Sequence, residues 1–116
     1  MAGVVILDLS WCGGISEAKK IASMAEAYQL PIAPHDCTGP VVLAASMHLS
    51  LNAANALIQE TVRAFYTGWY LDVVTELPRI DMGYAFPSTA PGLGLKLLPD
   101  LRQRPGAVCQ RSSLDG

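Results

Sequence analysis

An α/β fold with parallel strands is the class this sequence predicts, and three observations predict it. The chain opens on an unbroken run of β-branched and aliphatic residues, "VVILDL" (4–9), rather than on an alternating one. Such a run fits a strand buried on both faces, as in a parallel sheet. Strand-like and helix-like segments then alternate, which places crossover helices between parallel neighbours. Apolar residues make up 51% of the 116 residues and charged residues only 16%. That balance excludes a disordered chain and suits buried strands, or a surface that something else covers.

The elements follow in order. After "VVILDL", the segment "SWCGG" reads as a loop. "SEAKKIASMAEAY" (16–28) puts Ala18, Ile21, Ala22, Ala25 and Tyr28 on one helical face. Ser16 suits the N-cap and Glu17 the first turn. A second short strand is expected over residues 31–35. Pro40 is placed to open a helix through "VVLAASMHL", because proline at the first helical position loses no needed N–H. "NALIQE" (55–60) reads as a third strand. Beyond Glu60, "TVRAFYTGWYLDVVTEL" holds a short helix. "LPRIDMGYAFPS" reads as a hairpin with Gly83 near its turn, and "PGLGLKLLPDLRQRP" as a turn, a short extended piece and one helical turn. The tail from Gly106 is expected to be loose.

Composition also narrows the function. The net charge is −2 and the eight Lys and Arg are scattered, so no basic stripe points to nucleic acid. No apolar run is long enough to span a membrane. No basic amphipathic helix points to a membrane surface. The first residues, "MAGVVIL", lack the positive region and cleavage site of a signal peptide. Cys12, Cys37 and Cys109 are odd in number and widely spaced, without zinc spacing. They read as free thiols of a cytoplasmic protein.

Three polar residues close the three strands: Asp8, His35 and Glu60. In parallel α/β proteins ligands bind outside the carboxyl ends of the strands. Neighbouring strands lie about 4.8 Å apart. An aspartate there can accept a hydrogen bond from imidazole Nδ1–H, fix the tautomer and raise the basicity of the other nitrogen. Glu60, one strand further on, can donate a proton or hydrogen bond if its surroundings raise its pKa. Asp36 is expected exposed at the same mouth, within reach of substrate hydroxyls. Trp11 is expected to contact substrate or to cover the rim, and Cys12 to border the pocket as a further substrate-binding candidate. Trp69 and Tyr70 read as packing for the C-terminal segment, and His48 as helix packing or surface.

At these residues the sequence resembles a known family. "DLSWCGGISEAKKIASMAEAY", "PIAPHDCTGPV" and "NALIQE" are similar to the last barrel strands of the enolase superfamily, mandelate racemase subgroup. The likeness is to its acid-sugar dehydratases, galactonate dehydratase among them. "PRIDMGYAFPSTAPGLGLKL" is similar to the segment that leaves the barrel and returns toward the capping domain. The resemblance implies that residues 1–66 are the last three strand–helix units of a (β/α)8 TIM barrel. Residues 67–105 would be the C-terminal segment and 106–116 a loose tail.

The resemblance also implies roles. His35, oriented by Asp8, would act as acid or base at the carbon next to a substrate carboxylate, or protonate a departing 3-hydroxyl. Glu60 would face the carboxylate or the developing enediolate. The substrate would be a small sugar acid, and Mg2+ would stabilise the enediolate. Family members hold the metal with carboxylates on the third, fourth and fifth strands and carry a catalytic lysine on the second. Asp36, Asp72, Asp81 and Asp100 do not fall at such strand ends, so no metal ligand is expected in this chain. The expectation is a fragment that needs an N-terminal barrel and capping domain. It is expected to be inactive alone, with a homo-oligomer open for the complete enzyme. The alternatives are a racemase or epimerase of the same subgroup, or a truncated chain without activity.

Overall fold

A computed structural model describes residues 3–111 and 113. The expectation of a loose tail over 106–116 falls partly on residues 112 and 114–116, which lie outside the described residues. Strand β1 (Val5–Asp8), helix α1 (Ile15–Ala27), strand β2 (Ile32–His35) and helix α2 (Pro40–Asn52) form one βαβα run. The two strands pair in parallel, with Val5 opposite Ile32, Ile6 opposite Ala33, Leu7 opposite Pro34 and Asp8 opposite His35.

Alternation along the strands sorts these pairs between two faces. The Val5, Leu7 and Ile32 side packs into a core with Ala18, Ala22 and Ala25 of α1 and Ala45 and Leu49 of α2. Alanines at the helix positions let both helices approach the sheet closely. On the other side Ile6 is 64% exposed. Asp8 and His35 share that side.

The start of α1 differs slightly from expectation, and that of α2 falls where it was expected. Helix α1 begins at Ile15, and Gly14 rather than Ser16 occupies the N-cap with φ at +94°. That conformation is open to glycine and strained for other residues. Helix α2 begins at Pro40, as its ring geometry favours.

The third strand expected over 55–60 is not a regular strand. Its chain runs parallel beside β2, with a bridge between Ile32 and Ala56. Ile32 N–H donates to the Asn55 carbonyl, Leu57 N–H to the Ile32 carbonyl and Glu60 N–H to the Pro34 carbonyl. Leu57 and Ile58 are exposed along it. A segment with one sheet neighbour has half of its backbone groups turned to water, and its ladder stays incomplete.

The C-terminal segment has its own order. Helix α3 (Arg63–Tyr66) is followed by a 3₁₀ turn over Trp69–Asp72. A hairpin then pairs β3 (Arg79–Asp81) with β4 (Tyr84–Phe86). Met82 and Gly83 take positive φ at its tip, the pattern of a two-residue hairpin turn. A second apolar cluster joins Leu43 and Met47 of α2 to Tyr70, with Phe65, Tyr66, Leu77 and Ala85 around it.

Candidate active site

The pairing of Asp8 with His35 follows from register. Both are last residues of adjacent parallel strands, so their side chains leave the sheet together. His35 Nδ1 lies 3.0 Å from Asp8 Oδ2. The Asp8 carboxylate is buried and fully engaged. It accepts from Ser10 N–H at 2.8 Å, from the Ser10 hydroxyl, and from Thr38 Oγ1 at 3.2 Å. Burial pushes the Asp8 carboxyl up, but donation from Ser10, His35 and Thr38 outweighs it and holds the group below the usual aspartate value. An ionised carboxylate only accepts hydrogen bonds. Nδ1 of His35 therefore carries the proton in this contact, and Nε2 of the neutral ring is left as the basic nitrogen.

The loop after β1 supplies Ser10 and Trp11. It closes through Trp11 and Cys12 N–H groups on the Asp8 carbonyl and Gly14 N–H on the Leu9 carbonyl. The indole of Trp11 stands 6.2 Å from the imidazole of His35, tilted by 43°. At 77% exposure it is an apolar wall open to solvent beside the dyad. Cys12 follows Trp11 in the same loop. It packs partly buried against the core, with its thiol 4.0 and 3.9 Å from the Leu9 and Gly14 carbonyls.

Glu60 lies beside the exit of β2, held there by its backbone bond of 3.0 Å to Pro34, and it is exposed. Asp8 and His35 thus end paired strands, whereas Glu60 ends an extended segment beside β2 rather than a strand.

Asp36 corrects the sequence reading. Expected at the surface as a contact for substrate hydroxyls, it is 0% exposed. The Tyr70 hydroxyl donates to its carboxylate, 3.0 and 3.1 Å from the two oxygens, and Thr61 Oγ1 donates at 2.9 Å. Burial pushes the Asp36 carboxyl up, and the charge of Asp8 adds to that. Donation from Thr61, Tyr70 and the Gly39 N–H opposes it without cancelling it. Burial and the adjacent Asp36 also push the Tyr70 hydroxyl up, so it remains a donor. Tyr70 packs the C-terminal segment as expected, but its hydrogen bond to Asp36 went unforeseen. A tyrosine and an aspartate 34 residues apart carry no local signal of contact.

Among the described residues, no group of three or more His, Cys, Asp or Glu side chains could hold a metal ion. Nor is any helix among them long and apolar enough to cross a membrane.

The chain is similar to known proteins. The family described as enolase C-terminal domain-like matches residues 1–101. The D-galactonate dehydratase of Verminephrobacter eiseniae is 43% identical over 102 residues, 82% of this chain and 27% of its own length. The D-galactonate dehydratase of Pectobacterium atrosepticum is 40% identical over 99 residues, 81% of this chain and 26% of its own. The chain thus spans about a quarter of the length of these curated relatives. Among solved structures, an enolase of the mandelate racemase subgroup from Agrobacterium tumefaciens superposes with a TM-score of 0.78. It has 62% identity over 88% of this chain and 27% of its own. An enolase protein from Sargasso Sea environmental sequencing reaches a TM-score of 0.84 at 53% identity, over 91% of this chain and 28% of its own.

Proposed function

The chain belongs to the enolase C-terminal domain-like family, and from that premise we propose that it is the strand-end part of an acid-sugar dehydratase. In this reading residues 1–66 are the last three strand–helix units of a TIM barrel, and 67–105 return toward a capping domain. The complete enzyme removes a proton next to the carboxylate of an aldonic or aldaric acid in the cytoplasm and expels water.

One observation carries the reading: the 3.0 Å contact between Asp8 and His35 at paired strand ends. With Nδ1–H committed to Asp8, Nε2 of His35 takes or returns a proton at a substrate carbon or leaving hydroxyl. Trp11 offers its exposed indole to the apolar face of a sugar chain, and Glu60 meets the substrate carboxylate or enediolate. Mg2+ would stabilise the developing enediolate when bound. The described side chains do not fit a magnesium site, so its ligands in the complete enzyme come from elsewhere. The dehydratase reading is favoured over a racemase or epimerase by the names of the curated relatives.

A chimera tests it. Residues 4–101 of this chain replace the matching quarter of the Verminephrobacter dehydratase, and dehydration of a panel of aldonic and aldaric acids is followed with Mg2+. Turnover is expected, and His35→Asn should lower kcat by about 10²–10⁴-fold, the usual worth of general acid–base help. A folded chimera whose turnover survives His35→Asn would sink the proposal. The 116-residue chain alone is expected to show no turnover on the same panel.

A further inference from the structure

We propose that Asp36 is a positioning residue: held by Tyr70 and Thr61, it fixes the loop that carries His35 and Thr38 against Asp8. The proposal builds on the proton-transfer reading of His35. Asp36 immediately follows His35, and its buried carboxylate accepts from two neutral side chains, the Tyr70 hydroxyl and Thr61 Oγ1. Burying a carboxylate on neutral donors is costly. A loop needing only to reach α2 could use an apolar residue there.

The cluster constrains the loop from both ends. On the near side Pro34 accepts from Glu60 N–H at 3.0 Å and from Gln59 Nε2 at 3.1 Å. On the far side Tyr70 and Thr61 hold the Asp36 carboxylate, and α2 begins at Pro40 just beyond Gly39. Between these ties lie His35, whose Nδ1 meets Asp8, and Thr38, whose hydroxyl donates to the same Asp8 oxygen. Tyr70 is itself fixed. It is fully buried between Leu43 and Met47, and Trp69 meets its ring edge-on at 4.6 Å. The C-terminal segment thus reaches the residue next to His35 through the Tyr70 hydroxyl.

The test reads the tautomer of His35 in the 116-residue chain, independently of turnover. The chain has two histidines, His35 and His48, so His48 serves as internal reference. Long-range 1H–15N spectra are recorded well above the usual imidazole titration range. The unsubstituted chain should show His35 in one tautomer, protonated on Nδ1. Tyr70→Phe and Thr61→Val, which each delete one donor, and Asp36→Asn should convert that signal to a mixture, with His48 unmoved. Val74→Ala loosens the same segment at a buried apolar site, and it should leave His35 in the single tautomer. A single Nδ1–H tautomer surviving in all three polar variants would overturn the proposal, and so would an equal mixture in Val74→Ala. A mixture already in the unsubstituted chain would overturn the Asp8–His35 dyad as well. A dead chimera with an intact tautomer pattern would count against the dehydratase reading alone.

Discussion

Asp8 and Asp36 are buried carboxylates on one site, and they respond to pH in opposite senses. Asp8 is held below its ordinary value, so the unfolded chain binds its proton more tightly. Its stabilisation is present above the unfolded pKa and is lost as pH falls through the folded one. Asp36 is pushed up, so the folded chain binds its proton more tightly. Its contribution is present below the unfolded pKa and is lost as pH rises through the folded one. Asp36→Asn removes that titration while keeping an acceptor for Tyr70. The difference in Tm, variant minus wild type, should therefore grow more positive from about pH 4 to about pH 8 in thermal melts. Asp8→Asn should show its trend below about pH 4 instead, the variant gaining on the wild type as acid protonates Asp8. Asp8 and His35 were legible because each ends an apolar run, and position on a parallel strand dictates where such a side chain emerges. The role of Asp36 was not legible. Its neighbourhood suggested a surface loop, and the donors that bury it come from Thr61 and Tyr70, beyond the reach of any local pattern.

Asn55 joins three elements. Its side-chain amide donates to the Ala22 carbonyl of α1 at 3.1 Å and to the Leu30 carbonyl, just before β2, at 2.9 Å. Its own carbonyl accepts from Ile32 N–H. Asn55→Ala removes the side-chain donor to the Leu30 carbonyl and a second donor to Ala22, and should cost about 1–3 kcal/mol of stability, read from urea melts. An intact midpoint would show that water replaces the amide. The two helices and the first two strands were legible to within a few residues because hydrophobic period and length decide them together. The N-cap of α1 was misplaced by two residues, since Gly14 acts through backbone freedom and Ser16 made the more obvious chemical signal. The strand over 55–60 was overread for a different reason. Its residue pattern is strand-like, but a strand is completed by neighbours on both sides, and among the described residues it has β2 alone.

On the scale of the whole molecule, apolar surface is left uncovered in a definite place. Ile6 stands out from the sheet face opposite the helices, and Leu57 and Ile58 are each more than 60% exposed along the edge. A groove of about 460 Å3 between α2, residues 57–61 and the hairpin continues it, lined by Leu43, Met47, Tyr66 and Ile80 among others. Open edges and apolar patches of this kind associate or aggregate. The isolated chain should bind an apolar dye and sediment with concentration-dependent size. The double variant Ile6→Thr, Ile58→Lys should reduce both effects, and sedimentation velocity with dye fluorescence checks this. The apolar fraction of the sequence signalled uncovered surface. It could not say which face, because that depends on which side of the sheet the helices take.

The interior is divided between two clusters, one under the β1–β2 sheet and one under the C-terminal segment, and this division has a kinetic consequence. Separate apolar cores can open as separate cooperative units. Native-state hydrogen exchange should resolve the amides of α1, β1 and β2 into a slow group. Those of the hairpin and the 3₁₀ turn around Tyr70 should exchange through a cheaper, sub-global opening. In that opened state the Asp36 carboxylate is rehydrated while the strands that carry Asp8 and His35 remain paired. The dyad would then lose its order before it loses its scaffold.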